Sequence, residues 1–353
     1  MDMDSKRRVL TAADHREPDR VPITFDAADE VYETLYSHFG TRRKEDLFDA
    51  LHVDTWMILP RNFIYPEAEA ALPDKTSIWG YKARRTAYSG GVYDEIYSCP
   101  LAGRDGLADI RGHAWPGEDA LDFSHFSAEA ASHADRAVIG VFTWGPYFVA
   151  SFVRGMQDLL MDMATGGAYA DLLLGTITEK CEFFLNKMLE EHGSGIDIVY
   201  MADDTCTQTG PIFSREAFGR YVAPYLRRFA GIVHGHGKKF LLHTCGSVRA
   251  FLPAIIDCGV DMLEPVQVRA AGMEPAGLKR DFGRDICFYG GVDLQKVLCS
   301  YSPEAVAGEV RMLIDVLGRD GGYVLGPGHT YIQPDSPIAN ILSMYRTAFE
   351  HGR

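Results

Sequence analysis

Short apolar runs alternate with longer stretches of helical spacing along almost the whole chain. That alternation restricts the fold more than any single motif does. The runs lie at 21–26, 53–59, 137–143, 197–202, 239–244, 261–264, 286–289 and 322–325. They are nearly continuous in apolar character, as strands covered on both faces must be. Between them, Leu172, Leu173, Ile177, Cys181, Phe184, Leu185 and Met188 recur at helical spacing. Ser214 and Ser302 stand where helix caps belong, with Pro303 in the first turn after the second. These caps predict helices running to about His236 and Leu317. Eight βα-type units predict an α/β fold, a (β/α)8 TIM barrel, which needs about 250 residues. The chain has 353, a length that two ordinary domains could also fill. The alternation favours a single domain over 1–353, with the surplus as a β-rich insertion at 76–116 between the second and third strands. Hairpin signals run from Ile78 to Ala83, through Ser89-Gly90-Gly91, and on from Val92 to Tyr97. Rich in aromatics (Trp79, Tyr81, Tyr88, Tyr93, Tyr97), the insertion is expected to cover the barrel mouth or meet a partner.

Composition removes several function classes. A net charge of −14 argues against nucleic-acid binding, which needs a basic footprint. No apolar run reaches membrane-spanning length. The start, Met1-Asp-Met-Asp-Ser-Lys-Arg-Arg8, has no apolar signal core, so a cytoplasmic location is expected. Seven scattered cysteines, an odd number without a CxxC pair, form no disulfide framework.

In such a barrel, chemistry collects at the C-terminal ends of the strands. There the runs stop at ionisable residues: Asp203 and Asp204, His243 and Cys245, Glu264, Asp293 and His329. In His243-Thr-Cys245 an imidazole and a thiol stand at i and i+2, on one face of a strand. That pair suits zinc. The expected zinc ligands are His243, Cys245 and His329, with Glu264 as a candidate fourth. Three protein ligands and one exchangeable position mark a catalytic site. Adjacent on a strand, Asp203 and Asp204 must face opposite ways. One enters the pocket as the catalytic base, proton relay or acceptor, and the other caps or pairs; the sequence leaves open which. Gln208, Gln267 and Gln295 follow strand ends and are candidates for substrate binding. Thr165-Gly166-Gly167 lacks the remainder of a phosphate loop, and no GxSxG elbow occurs.

Together these segments resemble the uroporphyrinogen decarboxylase superfamily, in its corrinoid-linked, methyltransferase-like branch. The resemblance rests on residues 6–22, Asp203-Asp-Thr-Cys-Thr-Gln-Thr-Gly-Pro211, His243-Thr-Cys-Gly246, Glu264-Pro-Val-Gln267, Tyr289-Gly-Gly-Val-Asp-Leu-Gln295 and residues 321–329. It implies a (β/α)8 barrel in which a His-x-Cys pair and a later Cys hold zinc. Here His329 stands at that later position. The arginine-rich signature by which true uroporphyrinogen decarboxylases hold substrate carboxylates does not follow Val21-Pro-Ile23. The implied function is a zinc-dependent methyltransferase of one-carbon metabolism. The methyl group would pass between a small O- or N-methylated compound and a corrinoid (cobalamin), thiol or tetrahydrofolate acceptor. Expected partners are the methyl donor, a corrinoid protein and a second copy of the chain, with neither nucleic acid nor membrane. Rival readings are a lyase acting on a carboxylated substrate and a non-catalytic corrinoid- or tetrapyrrole-binding module.

Overall fold

Seven of the eight runs pair edge to edge in chain order. The computed structural model describes residues 3–88 and 91–352. Its main sheet is parallel and takes β1 (Thr55–Ile58), β5 (Ala137–Trp144), β6 (Ile198–Ala202), β7 (Lys239–His243), β8 (Met262–Glu264), β9 (Cys287–Val292) and β10 (Tyr323–Pro327) in that order. The segment 21–26 fills the gap between β10 and β1. Leu325 donates its N–H to Pro22, Thr24 donates to Leu325, and Asp54 donates to Ile23. It makes one isolated parallel bridge, Ile23 to Leu325, rather than a full strand. Pro22 brings no N–H to a ladder, which limits pairing here. The first run is therefore a stave of the barrel without being a regular strand.

Two apolar cores follow from strands covered on both faces. Inside the barrel, Ala137, Ile139, Val141, Ile198, Tyr200, Ala202, Leu241, Met262, Cys287, Tyr289 and Val324 pack with Val9 and Ala13 of the N-terminal helix Ser5–Ala13. Outside, alternate strand residues such as Val138, Phe142, Val199, Met201, Phe240 and Leu242 meet the surrounding helices. The predicted helices form at Ala168–His192, at Arg215–Ala217 continued through a π-turn at Phe218–Val222 into Ala223–Gly235, and at Pro303–Leu313 continued by a π-turn at Ile314–Gly318, with Ser214 and Ser302 accepting cap bonds from Ala217 and Ala305. At the floor of the barrel Asp54 is fully buried between Arg8 and Arg20. No helix among the described residues is long and apolar enough to cross a membrane.

The insertion forms a separate antiparallel sheet of β2 (Asp74–Thr76), β3 (Lys82–Tyr88) and β4 (Gly91–Ser98). Of the expected turn, Ser89 and Gly90 lie outside the described residues. The sheet ends at Ser98, short of the expected 116. The stretch beyond holds turns and the short helix Leu107–Gly112. Trp79 and Tyr81 are buried at the root of the sheet, whereas Tyr93 and Tyr97 are exposed. Trp79 packs edge-on to Phe184 of the helix Ala168–His192.

A candidate metal centre between two cavities

Strand register builds the site. Ala202 pairs with His243, and His243 pairs with Glu264. Three neighbouring strands therefore end level with one another. Inward parity on β6 runs through Ile198, Tyr200 and Ala202, so Asp204 continues inward. On β7 the same parity carries Leu241, His243 and Cys245. Asp204 and Cys245, each two residues past a paired position, meet directly: the Cys245 N–H donates to Asp204 Oδ1 at 2.8 Å. Gly246, at φ +89°, lets this turn close over its neighbour; a Cβ there would lie 2.4 Å from the Thr207 carbonyl oxygen.

The convergent trio is Asp204, His243 and Cys245, whose ligand atoms lie within 4.8 Å of one another. His243 Nε2 is 3.4 Å from Cys245 Sγ and 3.5 Å from Asp204 Oδ1. The opposite nitrogen, Nδ1, is bonded to Glu264 Oε2. Tyr200 donates its hydroxyl to the same carboxylate at 3.2 Å, and Thr330 donates to Glu264 Oε1 at 3.4 Å. Such a carboxylate on Nδ1 orients a ligating imidazole and fixes its tautomer. The expected set of His243, Cys245, His329 and Glu264 is thus divided. Glu264 stands behind His243, and His329 stands off at 6.0 Å between ring centroids, perpendicular to it.

Burial penalises the His243 cation, but Glu264, Tyr200, Asp204 and Cys245 together outweigh it and raise the pKa well above that of free histidine. Burial pushes Asp204 up, and the bond and charge of His243 more than reverse this, leaving its carboxyl below the usual range. The Cys245 thiol is raised by burial. His329 is lowered by burial and by the neighbouring His243 charge.

Asp203, one of two candidates for the pocket, faces the other way. It is 1% exposed and is used up in packing. Its carboxylate accepts the Phe148 N–H at 2.7 Å and the Tyr225 hydroxyl. It thereby satisfies a free N–H in the first turn of the helix Pro146–Arg154. Gly145 makes room for it: a Cβ there would lie 2.3 Å from Asp203 Cγ. Burial raises the Asp203 pKa to about 7 against the pull of these bonds.

Two cavities open beside the trio. A polar one of about 340 Å³ takes Gln208, Gln267, Gln295, Arg269, Asp293 and His329 among its walls. The three glutamines expected at the site are thus brought together. Gln208 donates to Gln267 Oε1, which also accepts the Gly246 N–H at 2.8 Å, and Gln267 Nε2 lies 3.6 Å from Cys245 Sγ. An apolar cavity of about 360 Å³ is walled by Met57, Leu59, Phe63, Ile64, Trp144 and Phe148, and has Asp204 and His243 at its base. His329 and Tyr331 line both. Neither draws a wall from the insertion sheet; loop 59–64 occupies the place where that sheet was expected.

Comparison with known proteins extends the picture. The uroporphyrinogen decarboxylase (URO-D) family profile matches residues 124–351, well over half of the chain. The chain belongs to this family. A methylcobamide:CoM methyltransferase of Methanosarcina barkeri (MtaA) is 24% identical over 208 residues, covering 59% of this chain and 56% of the relative. The chain thus matches little more than half of that relative's length. A solved methyltransferase structure from Methanosarcina mazei superposes with a TM-score of 0.70 at 18% identity, covering 99% of both chains. That likeness shows the fold, a TIM barrel of the same kind.

Several site residues carry no signal in the linear sequence. Tyr200 lies inside an apolar run, Trp144 lies one residue past another, and Thr330 follows His329 as an ordinary loop residue. Strand parity places Tyr200 on the same face as Asp204, four residues on, but does not say whether that face is inside or outside. Phe63 lies in a loop and had no periodic neighbour to mark it.

Proposed function

We propose that this protein is a zinc-dependent methyltransferase of one-carbon metabolism. It would move a methyl group between a small O- or N-methylated compound and a corrinoid, thiol or folate acceptor. The observation that carries this reading is the convergence of Asp204, His243 Nε2 and Cys245 Sγ with Glu264 on the far nitrogen of His243. One imidazole, one thiol and one carboxylate form a donor set suited to zinc. His243, Cys245 and Asp204 would hold the ion, with His329 facing the open side. Bound there, zinc supplies Lewis acidity and holds a thiol as thiolate. Glu264 keeps the His243 proton on Nδ1, so Nε2 faces Cys245 and Asp204. The lowered pKa of His329 leaves it neutral and able to donate or accept a hydrogen bond across the cavity. Loading requires Cys245 to lose the proton that burial favours and His243 to give up its Nε2 proton, so metal uptake should release acid. The name of the Methanosarcina barkeri relative supports a corrinoid as methyl carrier, which a partner protein would hold. Porphyrinogen decarboxylation is less well served: among the described residues Arg269 is the one Lys or Arg in the walls of the two cavities, and it is tied to Asp293.

The test joins metal analysis to a transfer assay. Wild-type protein should carry about one zinc per chain, as a single site requires. It should also methylate free cob(I)alamin from a panel of methoxylated and methylamine donors. His243→Ala and Cys245→Ser should lose both properties. Equal metal content in all three proteins would overturn the assignment.

A further inference from the structure

The two cavities differ in chemistry, and the apolar one restricts what can enter. Its walls present Phe63 edge-on to Trp144, with ring centroids 5.7 Å apart at 79°. Phe148 tilts against Trp144 at 5.2 Å. Aromatic side chains so arranged offer ring edges and faces to another ring. Among the described residues no Lys or Arg lines this cavity, and His243 at its base is already paired with Glu264, so an anionic donor finds no free cation in it. Its one carboxylate, Asp204, already accepts the Cys245 N–H and faces His243, so a cationic donor would have to compete for it. Volume excludes the smallest donors: an apolar cavity of about 150 Å³ is enough for benzene, and this one is about 360 Å³. Methanol would leave most of the walls without contact. A substituted ring fills them.

Resting on the methyl-transfer reading above, we propose that the apolar cavity binds a neutral aryl methyl ether with its methoxy group toward His243 and Asp204. Leaving-group chemistry agrees. A phenol ionises near pH 10, whereas water, a guide to simple alkoxides, has a pKa of about 15.7. An aryl oxygen thus departs far more readily than an alkyl one. In the transfer step, the methyl–oxygen bond breaks and its electron pair stays on the aryl oxygen, which takes one proton from solvent. The methyl carbon bonds to the cobalt of a cob(I) corrinoid through the cobalt electron pair. Cobalt passes from the +1 to the +3 state, and the products are a phenol and a methylcorrinoid.

Binding can be read without metal or corrinoid, which separates this proposal from the methyl-transfer reading. Guaiacol (2-methoxyphenol) is titrated into metal-stripped protein, followed by tryptophan emission and by saturation-transfer NMR. Saturable binding is expected within the range of about 1 μM to 1 mM usual for enzyme substrates. Phe63→Ala, a substitution in a loop, should weaken it about tenfold through loss of a ring contact. Trp144→Phe should abolish the emission response while NMR still detects binding. Absence of guaiacol binding overturns the proposal, whatever the transfer assay gives. So does tighter binding of tetramethylammonium at the same place, which would make the cavity a cation cage. Guaiacol binding without methyl transfer from any donor leaves the cavity assignment standing and removes the methyl-transfer reading instead.

Discussion

The two ends of the barrel both bury ionisable side chains, and they use them in opposite ways. At the floor, Asp54 accepts from Arg8 Nη1 at 2.7 Å, from Arg20 Nη1 and Nη2 at 2.7 and 2.8 Å, and from the Ile23 N–H at 2.8 Å. Each carboxylate oxygen is saturated, and the network ties the N-terminal segment to the start of β1. At the mouth, Asp204, His243 and Cys245 point their donor atoms at one shared space. Glu264 and Thr330 hold the rear of His243, with Tyr200 bonded to Glu264, and leave Nε2 facing Cys245 and Asp204. Buried charge closed on itself holds a fold together, whereas buried charge with an open valence can hold a ligand.

The largest effect that could break this comparison is at the floor. Asp54→Ala leaves Arg8 and Arg20 without their shared partner and should cost about 3–5 kcal/mol, the usual penalty for breaking a buried ion pair. Urea denaturation measures it, and a loss within experimental error would show that the floor is not held by charge. At the mouth, Asp203→Ala and Asp204→Ala should part company. The first strands the Tyr225 hydroxyl and the Phe148 N–H, at about 1–3 kcal/mol of stability for each group left buried and unpaired. It should leave metal content unchanged. The second should deplete metal in dialysed protein with a smaller change in stability. If both variants bound zinc like the wild type, Asp204 would belong with Asp203 as a structural residue.

A subtler effect belongs to Glu264. Glu264→Gln keeps the shape but weakens the acceptor on His243 Nδ1. Zinc affinity should fall about 10- to 100-fold, as for other partners of ligating imidazoles. Competition with a chromogenic chelator reports it, and unchanged affinity would remove Glu264 from the metal centre.

Another effect concerns pH. The Asp203 pKa rises to about 7 on folding, from the 3.8 of a free carboxyl, chiefly through burial. The folded state therefore binds more protons than the unfolded one between these values. By linkage the Asp203 contribution to stability is greatest at low pH and is lost as pH rises from about 4 to about 7. Asp203→Asn should flatten that part of the stability profile. A slope identical to that of the wild type would show that Asp203 titrates in the fold as it does in solvent.

Much of this architecture is written in the linear pattern. Seven of the eight apolar runs became strands because their β-branched and apolar residues suit burial on both faces. Ser214 and Ser302 began helices because a side-chain oxygen there satisfies a free N–H. His243 and Cys245 share a face by strand periodicity alone. The same two-sided burial hid the orientation of the aspartates. Where residues of both parities are apolar, as in Ile198-Val-Tyr-Met-Ala202, the pattern does not distinguish inside from outside. Sheet closure decided it, by placing Ile198, Tyr200 and Ala202 within the barrel and so turning Asp204 inward and Asp203 against Tyr225. Register between strands distant in sequence set Glu264 behind His243 and drew Asp204 to Cys245. The apolar cavity likewise exists only once loop 59–64 folds over the ends of β5 and β6. Local sequence determined which segments became strands and helices, since those choices depend on near neighbours. Tertiary structure decided which donors meet, because side-chain convergence depends on strand order, register and closure.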